Sequence, residues 1–122
     1  MPSLKKMAAG DENMKEDVLG QFEQLVLTAV LSLGEDAYGP KIHEKVIELA
    51  EREVSIGSVY ITLDRLEDKG HLASKPGRPP QWGGQARRYY RLRAAGQRAL
   101  RQAFETSRRL QQTAEPMWEF KT

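Results

Sequence analysis

The chain has 122 residues, no cysteine and 39% apolar residues, which predicts one domain with a small core and excludes disulfides and cysteine-based metal or catalytic sites. The net charge of +2 hides an uneven distribution of charge between the two halves of the chain. Residues 1–54 carry six basic against eleven acidic side chains, and residues 55–122 carry thirteen against six. No apolar run approaches the roughly 20 residues that span a bilayer, and the N-terminus lacks a signal-peptide core, so we expect a cytoplasmic protein.

Two helices are predicted in the first half of the chain. Residues 1–16 are polar and show no periodicity, so we expect a flexible N-terminal arm. Apolar residues then recur at steps of three and four from Val18 to Leu33, which predicts a helix with a left-handed cap at Gly34. A second helix is predicted to begin near Gly39-Pro40, because proline fits a first turn. Its expected inward residues are Ile42, Val46 and Leu49.

A third, short helix is predicted between Ser55, which can cap its start, and Gly70, which can end it. Its apolar ridge is Val59, Leu63 and Leu66. Its expected polar side, which together with Ser55 is predicted to face DNA, is Ser58, Thr62, Arg65 and Lys69. Short hydroxyls and a long arginine suit a major groove about 12 Å wide, although the same residues would also suit a solvated face.

Two strands are predicted after this helix, at 71–75 and 87–92, with Tyr90 and Leu92 on one face of the second. The sequence between them, PGRPPQWGGQA, contains three prolines and three glycines. Such a segment cannot continue either strand. It therefore predicts a projecting hairpin loop, or wing.

Basic residues surround the predicted wing. Eight basic and no acidic residues occur from Lys75 to Arg101, which favours a polyanionic partner. The residues expected to lie against phosphates or to reach the minor groove are Arg78, Arg87 and Arg88. Trp82 in the loop either anchors the loop on the domain or faces DNA or a neighbouring subunit.

A terminal helix is predicted over residues 94–114, and it is longer than the remaining domain can cover. We expect its apolar stripe to pack on the same helix and on the first helix of a second subunit. The alternative is a monomer in which this helix folds back on its own core. The side chains expected at the dimer interface are Phe22, Leu100, Phe104 and Leu110.

The C-terminal tail, residues 115–122, follows the end of this helix at Pro116. Trp118 and Phe120 could fold back over the dimer interface, either as a staple or as part of an effector pocket. The only histidines, His43 and His71, lack paired ligand spacing and are expected at the surface or an interface. No enzymatic activity and no cofactor are expected.

Three segments, AYGPKIHEKV, VSIGSVYITLDRLEDKGHL and GGQARRYYRLRAAGQRAL, together resemble the PadR family of bacterial transcriptional regulators from Gly20 to about Leu110. The matching motifs are Tyr38-Gly39, Tyr60-x-x-Leu63-x-Arg65-Leu66, Gly70, Gly83-Gly84 and Tyr89-Tyr90-Arg91-Leu92. The resemblance implies a mainly α fold with a small β-hairpin. A winged helix-turn-helix domain would span residues 17–93, and a dimerisation helix would span residues 94–114.

The resemblance also implies a homodimeric repressor that binds a palindromic double-stranded DNA operator and is released by a small molecule or another signal. Side chains at the groove or phosphates would be Ser58, Tyr60, Thr62 and Arg65, with Arg78, Arg87 and Arg88 on the wing. The alternative function is a winged helix that only binds other proteins. Ser107 stands at an interface position where multidrug-sensing relatives have tryptophan, so aromatic stacking of a ligand is not expected there.

The chain departs from the family pattern at several positions. Gln85-Ala86 replace residues that are often basic, which is expected to weaken contacts between the wing and DNA. Asp64 and Asp68 in the third helix are expected to lower non-specific attraction. Arg93 stands where a capping Thr or Ser is common, at an expected cost of about 1 kcal/mol to the start of the terminal helix.

Overall fold

The computed structural model describes residues 18–79, 83–84 and 86–119, so the N-terminal arm, Trp82 and Phe120 lie outside the described residues. The helices are α1 (Gln21–Leu33), α2 (Gly39–Ala50), α3 (Ile56–Asp68) and α4 (Ala94–Ala114), the strands are β1 (Leu72–Pro76) and β2 (Arg88–Leu92), and short 3-10 turns lie at Gly34–Asp36 and Glu115–Met117. This order confirms the predicted mainly α fold with one β-hairpin.

Helix α1 begins three residues later than the apolar pattern predicted. Gly20 is the N-cap residue, and its backbone N–H donates to Glu23 Oε1 at 3.0 Å. The Glu23 side chain thus reaches back to the start of the helix and stabilises its first turn. Val18 therefore lies before the helix and is exposed. At the other end, Gly34 takes a φ of 57° with a ψ of −120°, which is not the predicted left-handed cap, and the chain continues into the 3-10 turn.

Helix α2 follows the prediction at two of its three inward positions. Ile42 and Val46 are fully buried, but Leu49 is exposed, so the prediction for Leu49 was wrong. The buried line of this helix advances in steps of four from Ile42 through Val46 to Ala50, which packs against the core. Leu49 lies about 100° away from that line and faces solvent.

Helix α3 has the predicted cap and core. Ser55 Oγ accepts the backbone N–H of Ser58 at 3.1 Å, and Val59, Leu63 and Leu66 are fully buried. Gly70 ends the segment with a φ of 83°, a conformation that side chains disfavour. One side of the helix is therefore packed in the core, and the opposite side faces solvent.

The hairpin pairs β1 and β2 antiparallel, from Leu72 opposite Leu92 to Pro76 opposite Arg88. The strands lie within one residue of their predicted positions. The backbone N–H of Tyr90 also donates to the Ala37 carbonyl at 2.8 Å, and Tyr38 forms a bridge with Tyr89. Strand β2 thus lies between β1 and the segment that leads into α2, which fixes the base of the wing.

Among the described residues, the buried side of helix α4 lies in its first turns, at Gly96, Ala99 and Leu100. Leu100 is buried at 3% exposure, so the prediction that it lies at a dimer interface was wrong: its own subunit covers it. Gly96 packs against the backbone of His71, and the Arg93 N–H donates to the His71 carbonyl at 2.9 Å. His71 is itself 2% exposed, which corrects its predicted surface or interface position. Within the described segments, no helix is both long and apolar enough to cross a membrane.

Candidate nucleic-acid interface

The orientation of α3 follows from its buried side chains. At about 100° per residue, the buried residues occupy one side of the helix, and the middle of the opposite side is formed by Gly57, Ile61, Asp64 and Asp68. Ile61 is 62% exposed at the centre of this outward side. The sequence prediction missed Ile61, because an isoleucine at helical spacing is ordinarily assigned to the core.

Thr62 does not lie on the polar side of α3, and that prediction was wrong. It is only 5% exposed, because it lies beside the ridge of Val59 and Leu66, roughly 40–60° away around the helix axis. Its β-branched side chain is close to valine in shape and fits the apolar ridge. A side chain this buried cannot reach into a DNA groove.

Lys69 also differs from its predicted role. Its ammonium group donates to Glu23 Oε2 at 2.9 Å and thereby ties the end of α3 to the first turn of α1. Burial of Glu23 raises its pKa, but bonds from Lys69 and the Gly20 N–H, with the charges of Lys69 and Arg65, outweigh burial and leave the pKa lowered. Lys69 therefore forms a salt bridge between the end of α3 and α1 and is not a free cation facing DNA.

One flank of the outward side carries three of the predicted contacts, Ser55, Ser58 and Arg65. The two serine hydroxyls lie 2.7 Å apart at the helix start. Together with Phe22 and Ile61, the three residues line a cleft of about 460 Å³ between α3, α1 and the turn before α3. Arg65 is exposed and forms no ion pair with any described residue, so its guanidinium is available to an anion.

The other flank is built from Tyr60 and the start of α2. The Tyr60 ring lies so close to Gly39 that a Cβ on Gly39 would fall 2.7 Å from the ring carbon Cζ. A cleft of about 220 Å³ lies here and is also lined by Arg87 and Arg88. The positive end of the 12-residue helix α2 points at the same place. A hydroxyl, a helix start and two guanidinium groups together suit a phosphate.

The wing arginines are positioned by aromatic and polar neighbours. The Arg87 guanidinium lies over the Tyr38 ring at 4.3 Å from its centroid, and the Tyr38 ring meets Tyr89 at 5.5 Å. Arg88 Nη1 donates to Ser74 Oγ at 2.9 Å, and that hydroxyl donates to Glu67 Oε2 in α3 at 2.6 Å. The wing and α3 are thus connected side chain to side chain.

The remaining wing residues lie at the outer part of the hairpin. Arg78 is exposed, as predicted, and Gly83 and Gly84 both take positive φ values, 93° and 103°. Such values are natural for glycine and strained for other residues. The pair therefore explains why the wing sequence contains two consecutive glycines.

Tyr90 also lines the cleft between Tyr60 and the start of α2, and its hydroxyl stays protonated at neutral pH. Burial raises the pKa of its hydroxyl, and the nearby charges of Asp64 and Glu67 raise it further. Its ring is buried in the core, as the alternation of β2 predicted. Tyr90 therefore serves as a neutral support for the interface.

Neither histidine is arranged for acid–base chemistry. His43 is half-buried, and its Nε2–H donates to the carbonyl of Val54 at 2.6 Å, which holds α2 against the turn before α3. The backbone N–H of His71 donates to the Leu66 carbonyl at 2.9 Å and so connects the end of α3 to β1. Both residues support the position of α3.

The predicted effector pocket and dimer interface are only partly described. Phe22 and Ser107 are half-buried, whereas Phe104 and Leu110 are exposed at 44% and 65%. Trp118 is exposed beyond the 3-10 turn that follows α4. Participation of Trp118 in an effector pocket stays a prediction, since Phe120, the other residue predicted for that pocket, lies outside the described residues.

Solved structures share this fold over most of the chain. A PadR-like transcription factor from Bacteroides fragilis is 23% identical, with a TM-score of 0.69, and the match covers 90% of this chain and 99% of that one. A PadR family regulator from Clostridium difficile R20291 is 24% identical, with a TM-score of 0.65 and coverages of 80% and 98%. A PadR family regulator from Eggerthella lenta DSM 2243 is 21% identical, with a TM-score of 0.66 and coverages of 99% and 100%.

Comparison with curated proteins gives no significant match. The family model described as the transcriptional regulator PadR-like family matches residues 26–102. The matched region begins inside α1, includes α2, α3 and the whole hairpin, and ends within α4. The chain therefore belongs to the PadR-like family of transcriptional regulators.

Proposed function

We propose that this protein is a homodimeric repressor that binds a specific, palindromic double-stranded DNA operator through α3 and the wing. The observation that carries the proposal is the outward side of α3, which has no cover from the described chain and lies between two clefts that are each lined by arginines. A helix of this width fits a major groove, and the flanking cations then meet the phosphates on either side.

Two of the residues that the sequence predicted to contact DNA are excluded from the proposed contacts. Thr62 is buried and Lys69 is bound to Glu23, so neither is included. The proposed contacts are Ser55, Ser58, Tyr60 and Arg65 from α3 and its cap, with Arg78, Arg87 and Arg88 from the wing. The Arg87 guanidinium is already held over the Tyr38 ring, which reduces the side-chain entropy that it loses on binding a phosphate.

The distal part of α4 supports a dimer. The stripe that buries Gly96, Ala99 and Leu100 in the domain continues along the same side of the helix. Its later members are Ala103, Ser107, Leu110 and Ala114. Phe104 and Leu110 are exposed in this part of the helix, so a second copy of α4 is the proposed cover. Two-fold symmetry then places two copies of α3 on successive turns of a palindrome.

Release from DNA by a small molecule or another signal is part of the proposal. In a dimer built on α4, a change in the packing between the two copies alters the distance between the two α3 helices. A ligand that binds one arrangement better shifts the population towards it. The exposed Trp118 lies just beyond the 3-10 turn that follows α4 and is the nearest described aromatic side chain beyond that helix.

The experiment that tests the function is a titration of the protein against the duplex that covers its own promoter, beside a scrambled duplex, at several salt concentrations. Binding about a thousandfold tighter to the promoter is expected for a specific regulator. Equal binding to both duplexes, or binding to neither, would contradict specific recognition of this site and would favour a module that binds proteins.

Two arginine variants separate the parts of the interface. Arg65→Ala is expected to lower the preference for the operator, whereas Arg87→Ala is expected to weaken all duplexes and flatten the salt slope by about one unit. Arg109→Ala is the control, because Arg109 is exposed on α4 on the side opposite its apolar stripe. Equal loss on every duplex from the Arg65 change would contradict its role in specificity.

A further inference from the structure

Ile61 is a large aliphatic side chain at the centre of the outward side of α3. It is 62% exposed, it is the sixth of the 13 residues of the helix, and it points away from the core formed by Val59, Leu63 and Leu66. Single exposed apolar residues are common on protein surfaces, so exposure alone decides nothing. The position is informative because the flanks of the same helix carry the anion-binding groups.

Gly57 provides a second observation on the same side, one turn before Ile61. A Cβ placed on Gly57 would meet nothing within 4 Å, so no packing contact in the subunit requires a glycine. Glycine is also unfavourable within a helix, by up to about 1 kcal/mol relative to alanine. A bare helix turn nevertheless lets the backbone approach a flat surface, such as the edge of a base pair, more closely.

Asp64, one turn after Ile61, limits what this side of the helix can face. Its carboxylate is exposed and forms no ion pair with any described residue. A carboxylate repels phosphate, so the line from Gly57 through Ile61 to Asp64 suits the floor of a groove and not its walls. The phosphates then face the two flanks, where Arg65 and Arg87 lie.

We propose that Ile61 recognises the C5-methyl group of a thymine in the major groove, and that Gly57 provides the clearance for this contact. The inference rests on the proposed function and adds a base preference to it. The thymine methyl is the one apolar group that the four bases present in that groove. A sec-butyl side chain cannot form a hydrogen bond with a base edge, but it can exclude water from a methyl group.

The proposal is tested on the operator identified by the promoter titration. Each thymine of one half-site is replaced in turn by deoxyuridine, which removes the methyl group and leaves the base pairing intact. For the wild type, one thymine of that half-site is expected to show a loss of about fourfold in affinity, the effect of one buried methyl-sized group. For Ile61→Ala, the same replacement is expected to have no effect.

Two further variants make the comparison specific. Ile61→Val keeps a branched side chain and is expected to retain most of the sensitivity to deoxyuridine. Leu49→Ala removes an exposed aliphatic side chain from α2 and is expected to behave as the wild type. Thermal melting of each variant confirms that folding is intact.

The outcomes distinguish this inference from the function on which it rests. If the wild type binds promoter and scrambled duplexes equally, the proposed function itself fails. Specific binding with no thymine sensitive to deoxyuridine would overturn the role of Ile61 alone. A sensitive thymine that Ile61→Ala still recognises would assign the methyl contact to another side chain and would also overturn it.

Discussion

Helices α3 and α4 both carry an apolar stripe, but their own chain covers them to different extents. Contacts with α1, α2 and β1 hold α3 along its length, and only its outward side is free. In α4, by contrast, Gly96, Ala99 and Leu100 are buried, whereas Phe104 and Leu110 are exposed. A helix held on one side in a fixed orientation suits recognition of a rigid groove, whereas an uncovered stripe suits a second subunit.

The largest expected effect comes from charging the uncovered part of α4. In the double variant Phe104→Glu/Leu110→Glu, four like charges, two from each subunit, enter the proposed two-fold interface, where they repel each other and lose hydration. We expect dissociation into monomers and a loss of roughly a hundredfold or more in operator affinity, because the half-sites then bind independently. Analytical ultracentrifugation and the promoter titration measure the two effects.

The control for this variant is the stability of the subunit. Both side chains are exposed in the subunit, so thermal melting of the monomer is expected to remain cooperative. A wild type that is already monomeric at micromolar concentration, or a variant that still dimerises, would contradict the assignment of α4.

The attached part of α4 is tested by Gly96→Ala. A Cβ at this position would lie 3.1 Å from the carbonyl carbon of His71 and still closer to its oxygen, so the helix would have to move away from β1. We expect a loss of about 1–3 kcal/mol in the free energy of unfolding, measured by urea denaturation. The matched control is Gly57→Ala in α3, where the added methyl meets open space. If both variants were equally stable, the close packing at Gly96 would be refuted.

The inner side of α3 is tested by the pair formed by Glu23 and Lys69. Because the folded-state pKa of Glu23 lies below its usual value of 4.5, its ionised form stabilises the fold above that pH, and the contribution is lost as pH falls through the lowered pKa. Glu23→Gln is expected to lower the free energy of unfolding by roughly 1–2 kcal/mol at pH 7, with a difference that shrinks in acid.

Urea denaturation of both proteins between pH 7 and pH 3 measures this effect. The control is Glu48→Gln, since Glu48 forms an exposed pair with Lys45 on α2 and contributes little. A difference between wild type and Glu23→Gln that stays constant down to pH 3 would show that the charge of Glu23 is not what stabilises the contact.

The elements of the fold could be predicted from the sequence because their signals are local. Helical spacing identified Val59, Leu63 and Leu66, and a hydroxyl at Ser55 marked the start of α3. The prolines and glycines of the wing marked the hairpin. The stripe of α4 predicted a helix with the observed bounds of Ala94–Ala114.

The orientation of side chains at the interface could not be predicted in the same way. Polarity alone would place Thr62 outside and Ile61 in the core, but the structure shows the reverse. Threonine fills the space of a valine in the ridge, and isoleucine points outward. Lys69 finds its partner 46 residues away, in a helix whose position depends on the whole fold. Such long-range pairing leaves no local pattern in the sequence.

The smallest expected effect concerns the outward side of α3 itself. Asp64→Asn removes a negative charge that faces DNA in the proposed complex, while the side chain keeps its size. Binding to a scrambled duplex is expected to tighten about twofold to fivefold at low salt, since one repulsion of order 0.5–1 kcal/mol is removed, and the gain is expected to vanish at high salt. Asp36→Asn, exposed in the 3-10 turn after α1, is the control for a change in net charge alone. If both variants gained equally, Asp64 would act only through the total charge, and the outward side of α3 would not be the surface that meets DNA.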